Sequence, residues 1–293
     1  MRHLPDVSIR QLEYLVAVAD HATWAAAAEA VGVSPSALSQ GLAELERRVG
    51  VELFEPAGRR RVMRPSAGPV LDHARQVVSL TSDLIAWSER LRAASAGRVR
   101  LGMVDVAAVD HHPDRLRAFR ADHPDVELTM SVAPSADLLV DLRAGALDLI
   151  VCVEPPVWPP GIEAEALLTE PIVVYAPLGT AIGPPASWGP WVLFPPESHS
   201  RRQIIDALRA VGAPLQVAAD SHQSSVLREM VALGLGWTAL PEASERTGEQ
   251  LERGPTLYHR RLVLARRTGS VADPAVAELA ARLRARPGVT GGG

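Results

Sequence analysis

Ser36, Ser39, Gln40, Ala43 and Arg47 fall on one face of a helical pattern whose opposite face carries Leu38, Leu42 and Leu45. Short hydroxyls around one amide and one guanidinium suit the base edges and phosphates of a DNA duplex. Gln40 is long enough to make two hydrogen bonds to an adenine, a contact that discriminates by about 1–3 kcal/mol. Ser34, Ser36 and Ser39 are shorter, and hold phosphates or cap the helix more readily than they read bases. For Ser34, which precedes Pro35, the cap is the better reading. Arg59, Arg60 and Arg61 form a basic run farther on. On a wing beside the first group such a run would meet phosphate or a minor groove; the plainer reading is a solvated turn.

A second group suits a small anion. Ser135 opens one expected helix, and Ser198, His199, Ser200 and Arg201 open another. Free N–H groups at a helix start, together with the helix dipole, favour a carboxylate or similar group. Asp105 and Val106 follow an expected strand, at the end where open α/β sheets bind ligands. Ordinary capping by Ser135 and Ser198 fits their positions equally well.

Three other signals point to less. Asp110-His111-His112-Pro113-Asp114 has metal-ligand residue types, but neighbouring histidines diverge and Pro113 reads as a helix start, so no metal and no cofactor is expected. Cys152 ends an apolar strand with no second cysteine to resolve it, which makes it a core thiol. Glu197-Ser198-His199-Ser200 sets a nucleophile type beside a base type. Adjacent residues cannot face each other as a triad needs, and no G-x-S-x-G elbow is present. No catalytic residue is assigned; an enzyme and a purely architectural DNA binder are the rival readings.

These groups need particular elements to hold them. Ser8 and Gln11 form a capping box before Leu12, Leu15, Val16 and Ala19, and a short helix over 23–31 stops at Gly32. A third helix starts at Ser34-Pro35 and closes at Gly50. Two strand-like pieces, Glu52–Glu55 and Arg60–Met63, flank the turn Pro56-Ala57-Gly58-Arg59, which completes a winged helix-turn-helix over 7–65 with its helix-turn-helix at 24–43. Over 66–96, Val70, Ala74, Val77, Thr81, Leu84, Ser88 and Leu91 recur at alternating four- and three-residue spacing, a thin seam suited to a partner helix and so to dimerisation. From 97 the pattern alternates strand and helix: strands at 99–104, 126–132 and 147–153 around helices at 113–122 and 135–144. A strand at 172–176 and the Pro/Gly-rich stretch 177–190 precede a second α/β set, with strands at 191–194, 215–219 and 237–240, helices at 201–211 and 224–233, a strand at 257–265 and a last helix at 275–284. The fold class is therefore α+β overall.

Composition limits the classes. A chain of 293 residues with 47% hydrophobic and 22% charged residues suits two soluble domains. No apolar run approaches the roughly 18 residues of a membrane span, and residues 1–6 lack the apolar core of a signal peptide, so a cytoplasmic location without membrane contact is expected. The net charge is −4, but most arginines of the first 65 residues sit after position 46, so a neutral domain can present a basic edge to phosphate.

The sequence resembles the LysR-type transcriptional regulators along nearly its whole length. Ile9-Arg10-Gln11-Leu12-Glu13-Tyr14-Leu15-Val16-Ala17-Val18 is similar to that family's opening helix. Ala26-Ala27-Ala28 and Val33-Ser34-Pro35-Ser36-Ala37-Leu38-Ser39 are similar to its helix-turn-helix. Leu45-Glu46, Leu53-Phe54-Glu55, Gly58-Arg59-Arg60 and Ser66-Ala67-Gly68 continue in register. Phe119-Arg120, His123-Pro124-Asp125-Val126, Gly145-Ala146-Leu147-Asp148-Leu149, Gly234-Leu235-Gly236-Trp237 and Leu240-Pro241 match its effector domain. The departures are Trp24 for the customary Phe, Gly41 for Gln, Pro56 for Arg and Arg64 for Thr. Gly41 costs about 1 kcal/mol of helix propensity against Ala.

The resemblance implies a regulator that binds a double-stranded operator through Ser34, Pro35, Ser36, Ser39, Gln40, Arg47, Arg59, Arg60 and Arg61. It implies a periplasmic-binding-protein-like domain over 97–293, with one lobe at about 97–176 and 257–287 and the other at about 177–256. A small-molecule effector would lie between those lobes, near Asp105, Val106, Ser135, Ser198, His199, Ser200 and Arg201. It further implies a homodimer or homotetramer, and admits RNA polymerase as a partner.

Overall fold

The computed structural model describes residues 6–57, 60–93, 97–242, 251–271 and 273–284. The chain divides near Arg92 into two compact units. In the first, α1 (Ile9–Asp20) begins with the expected capping box: the Gln11 N–H donates to Ser8 Oγ and the Ser8 N–H to Gln11 Oε1. Thr23 caps α2 (Trp24–Ala30), and Ser34 caps α3 (Pro35–Val49) by accepting the Ala37 N–H at 3.2 Å. Gly50 closes α3 in the left-handed conformation at φ 73°. Leu15, Ala27, Ala28, Leu38, Leu42 and Leu45 are fully buried where the three helices meet. Each large apolar side chain so buried contributes about 1.5–3 kcal/mol. The wing is the antiparallel pair β1 (Phe54–Ala57) and β2 (Arg60–Met63).

A long helix, α4 (Gly68–Ala93), follows. Its 26 residues span about 39 Å at 1.5 Å per residue. The expected seam divides by position. Val70, Ala74 and Val77 pack on the winged-helix core, whereas Leu84 is exposed, as is its neighbour Ile85. Among the described residues no helix is long and apolar enough to cross a membrane.

The second unit holds two α/β cores. Strands β3 (Arg98–Met103), β4 (Glu127–Val132) and β5 (Leu149–Val153) are parallel, with β3 central, and alternate with α5 (Pro113–Asp122) and α6 (Ser135–Ala144). The next strand, β6 (Ile162–Pro177), starts well before the expected residue 172. It gives Ile162, Leu167 and Leu168 to the first core and Ile172, Val173 and Val174 to the second. The second lobe continues with β7 (Trp191–Leu193), α7 (His199–Ala210), β8 (Val217–Asp220), α8 (Ser224–Ala232) and β9 (Thr238–Pro241). Strand β10 (Leu251–Arg267) returns antiparallel to both β5 and β6, and α9 (Pro274–Arg284) packs on the first core. The six-stranded sheet therefore runs β4-β3-β5-β10-β6-β9. Both long strands change cores at Glu170 and Arg260, which are register partners.

Gly41 has a packing reason. A Cβ there would stand 2.7 Å from two ring carbons of Tyr14, which lies across α3 with its ring under the Arg10 guanidinium. Gly41→Ala gains about 1 kcal/mol of helix propensity but meets an overpacking cost of about 1–3 kcal/mol. The single variant should unfold at lower urea than the natural chain, and Gly41→Ala with Tyr14→Leu should recover most of the loss. An unchanged midpoint in the single variant would mean that the ring yields freely.

Candidate functional site

The polar face of α3 is open. Ser34, Pro35, Ser36, Gln40, Ala43 and Arg47 are exposed and Ser39 is half-buried, while Leu38, Leu42 and Leu45 point inward. Ser34 Oγ both caps the helix and bonds Ser36 Oγ at 2.9 Å. Arg47 and Arg48 both donate to Glu44, and these bonds hold its carboxyl down at about 2. Glu46, which no spacing or capping pattern marks, fixes the wing. Its Oε1 accepts the N–H groups of Leu53 (2.8 Å) and Phe54 (3.1 Å).

The basic run splits. Arg59 lies outside the described residues, and Arg60 is described only by its pairing with Ala57. Arg61 is turned onto the protein. It donates to Glu46 Oε2 at 3.3 Å, and its guanidinium lies 5.6 Å from the Trp24 ring centre and 5.4 Å from that of Phe54. The two rings meet edge to face at 5.0 Å. Trp24 and Arg61 thus form one stack, a cation on aromatic faces.

A cavity of about 160 Å3 lies where the two lobes meet. Val104, Val132, Val153 and Phe194 supply its apolar wall, and Asp105, Ser135, Ser198, Ser200, Gln223 and Arg260 its polar groups. Asp105 Oδ2 accepts from the N–H (3.1 Å) and Oγ (2.9 Å) of Ser224, so a first-lobe carboxylate caps α8 of the second lobe. Ser135 Oγ accepts the Val153 N–H at 3.1 Å. Ser198 stands at the N-cap of α7 without making a capping bond. Ser200 Oγ accepts from Arg260 Nη1 at 3.0 Å.

The other expected ligand residues lie apart from this cavity. Val106 lines an adjoining depression of about 190 Å3 with Val109 and Arg228. Arg201 donates to the Phe194 carbonyl at 2.7 Å, and burial lowers its pKa. Burial likewise lowers His199, against the opposing effect of the Val153 backbone.

Arg260 was not foreseen. It is buried, as is Glu170, whose Oε1 accepts from Arg260 Nε at 2.6 Å. Glu170 Oε2 lies 2.8 Å from His111 Nε2. Burial alone would raise the Glu170 carboxyl; the His111 bond and the Arg260 charge outweigh it and hold the group below the ordinary range. No pattern in the sequence marks it, since His259, Arg260 and Arg261 are polar alike and only the fold turns Arg260 inward.

A winged helix-turn-helix followed by a two-lobed α/β domain with a cavity at the lobe junction defines a DNA-binding regulator with a ligand-binding domain. Comparison with known proteins bears this out. Residues 9–68 match the bacterial regulatory helix-turn-helix model of the lysR family, and residues 92–288 match the LysR substrate binding domain. A probable hydrogen peroxide-inducible genes activator of Streptomyces viridosporus is 31% identical, over 94% of this chain and 93% of that protein. The regulator TfdS of Cupriavidus pinatubonensis is 29% identical, over 80% of this chain and 82% of its own. Full-length OxyR of Pseudomonas aeruginosa has a similar fold, with TM-score 0.62 and 23% identity, covering 95% of this chain and 98% of that one. So has full-length CbnR complexed with its target DNA, at TM-score 0.59 and 18% identity, covering 94% and 99%. The chain belongs to the LysR family of transcriptional regulators, DNA-binding proteins with an effector-binding domain.

The His111-His112 pair serves the fold. Among the described residues no group of three or more His, Cys, Asp or Glu is placed to hold a metal ion. His111 bonds Glu170, and His112 is buried with neither ring nitrogen hydrogen-bonded. Burial, then the charges of Arg115 and His111, lower His112 from 6.5 to about 4. A histidine kept neutral by the fold leaves stability complete above pH 6.5 and drains it as pH falls toward 4, here by on the order of 3 kcal/mol. Urea midpoints across that window should fall less steeply for His112→Leu than for the natural chain. Parallel profiles would remove His112 from the acid response.

Proposed function

We propose that Gln40 reads a base edge, that Arg47, Arg59 and Arg60 meet phosphates beside Ser36 and Ser39, and that an effector bound at the lobe junction controls this binding. The observation that carries the reading is the cavity lined by both lobes and crossed at its edge by the Asp105–Ser224 bonds, because a ligand there makes contacts that depend on lobe position. Asp105, Ser135, Ser198 and Ser200 are the sequence-expected residues that would touch it. Arg61 acts by holding the wing against α3. Two copies pair along the outer half of α4, where Leu84 and Ile85 are exposed, as a homodimer or within a homotetramer. The protein works in the cytoplasm and does no chemistry on its ligand. In support, the cavity hydroxyls of Ser135 and Ser200 bond a backbone N–H and a guanidinium, and His222, which shares the lining with Ser198, faces Glu197 at 3.5 Å.

Gln40→Ala should weaken binding to the true operator more than to random DNA, since only a base contact carries sequence information. Arg60→Ala should weaken both about equally and reduce the salt slope by about one unit. Fluorescence anisotropy on both DNAs over a salt series measures this, and equal losses for Gln40→Ala would reassign that residue to the backbone.

The effector is bound noncovalently, and no thiol is oxidised in sensing it. Cys152 is fully buried, and burial pushes its thiol up to about 12, so it holds almost no thiolate at neutral pH. Cys152→Ala should respond to effector as the natural chain does, and peroxide should leave operator binding by the natural chain unchanged. A peroxide-dependent shift lost in Cys152→Ala would reverse this.

A further inference from the structure

We infer that the ligand of the lobe-junction cavity is amphoteric: a small amino acid whose carboxylate meets Arg260 and whose ammonium meets Asp105. The inference rests on the reading of that cavity as the effector site, and deepens it.

Asp105 and Arg260 line the cavity with the apolar wall and the serines, and His222, also on the lining, faces Glu197 at 3.5 Å. Arg260 is held rigidly, its Nε on Glu170 and its Nη1 on Ser200. A guanidinium has five N–H donors, so these two bonds leave donors for a carboxylate. Asp105 is held as firmly, since both bonds from Ser224 go to Oδ2. A carboxylate offers about four acceptor sites, which leaves Oδ1 for a further donor.

Charge and the unmet Arg260 donors together select the ligand. The Arg260 charge is already matched by Glu170 behind it, so the cavity carries the unmatched negative charge of Asp105. A bare carboxylate would gain Arg260 and be repelled by Asp105. A bare amine would gain Asp105 and leave the Arg260 donors unmet. A ligand with both groups satisfies both, and like-charge juxtaposition acts against the other two. Size agrees: a dry cavity of about 150 Å3 holds a benzene, so about 160 Å3 admits a ligand of roughly six to ten heavy atoms. Val104, Val132, Val153 and Phe194 suit a short aliphatic side chain projecting from the carbon that bears both charges.

Calorimetry on the full chain with L-valine, 3-methylbutanoate and 2-methylpropan-1-amine isolates the two charges on one carbon skeleton; alanine and leucine with their matching analogues vary the body. An amino acid should bind about tenfold or more tighter than its deaminated and decarboxylated counterparts. Asp105→Asn keeps the size of the side chain and an acceptor for Ser224. It should weaken the amino acid about tenfold and bring the deaminated acid level with it. Arg260→Gln with Glu170→Gln removes the buried pair together, so that no lone charge is left; it should abolish discrimination in favour of the carboxylate, and thermal melts without ligand establish that it folds. If the deaminated acid binds the natural chain as well as the amino acid does, the amphoteric assignment falls and the cavity reading stands. If amino acids bind but neither Asp105→Asn nor Ser135→Ala changes their affinity, the site lies elsewhere and both fall. If none of the amino acids binds at millimolar concentration, the inference is overturned.

Discussion

The antiparallel pairing of β6 with β10 is the constraint on which the second unit depends. Each strand feeds two cores, and together they carry the chain across the lobe junction twice. Neither lobe owns its sheet alone, so the lobes fold together and can move only by bending about this ribbon. At the crossing point the strands must bury Glu170 against Arg260. Such a pair adds little net stability, because desolvation offsets the attraction, yet losing either partner costs about 3–5 kcal/mol. What the pair provides is position: a guanidinium fixed at the floor of a cavity whose walls come from both lobes.

The bond between Asp105 and Ser224 complements that ribbon. The strands join the lobes covalently, and this contact joins them through two part-buried hydrogen bonds at the cavity edge. Two hydrogen bonds to one carboxylate oxygen at a helix start benefit from the helix dipole, by about 0.3–1 kcal/mol at such a surface. An interaction of that size holds one lobe arrangement without locking it. Rigidity at the floor and a weaker contact at the rim are what a ligand-responsive junction requires.

Much of this was legible in the sequence. Periodicity and capping residues located the three helices of the winged domain, because Ser8, Thr23, Ser34 and Gly50 act locally and their effects do not wait on tertiary contacts. The βαβαβ core was equally plain from its apolar strands. The long strands were read short. In Ile162–Thr169 the alternation of apolar and acidic residues marks a half-exposed strand, but the contrast is weak beside the fully apolar run that follows. The DNA face followed from one helix, whose outward residues are fixed by its inward leucines. The cavity at the lobe junction did not, because it is assembled by distant segments: helix starts point to Ser135, Ser198 and Ser200, which line it, but not to the way Arg201 turns, nor to the entry of Arg260 from another strand. Gly41 is a cost by helix propensity alone, and only the fold shows that Tyr14 fills the space beside it.

Glu46 holds the wing through backbone N–H groups of Leu53 and Phe54, which every residue but proline possesses. That anchorage does not depend on which side chains the wing displays. Substitutions at the wing tip can therefore accumulate without re-aiming α3, and the chain's own Pro56 is one such change. Anchor and display are thus separate in the wing: Glu46 fixes where the hairpin lies, and residues such as Pro56 set only what it presents.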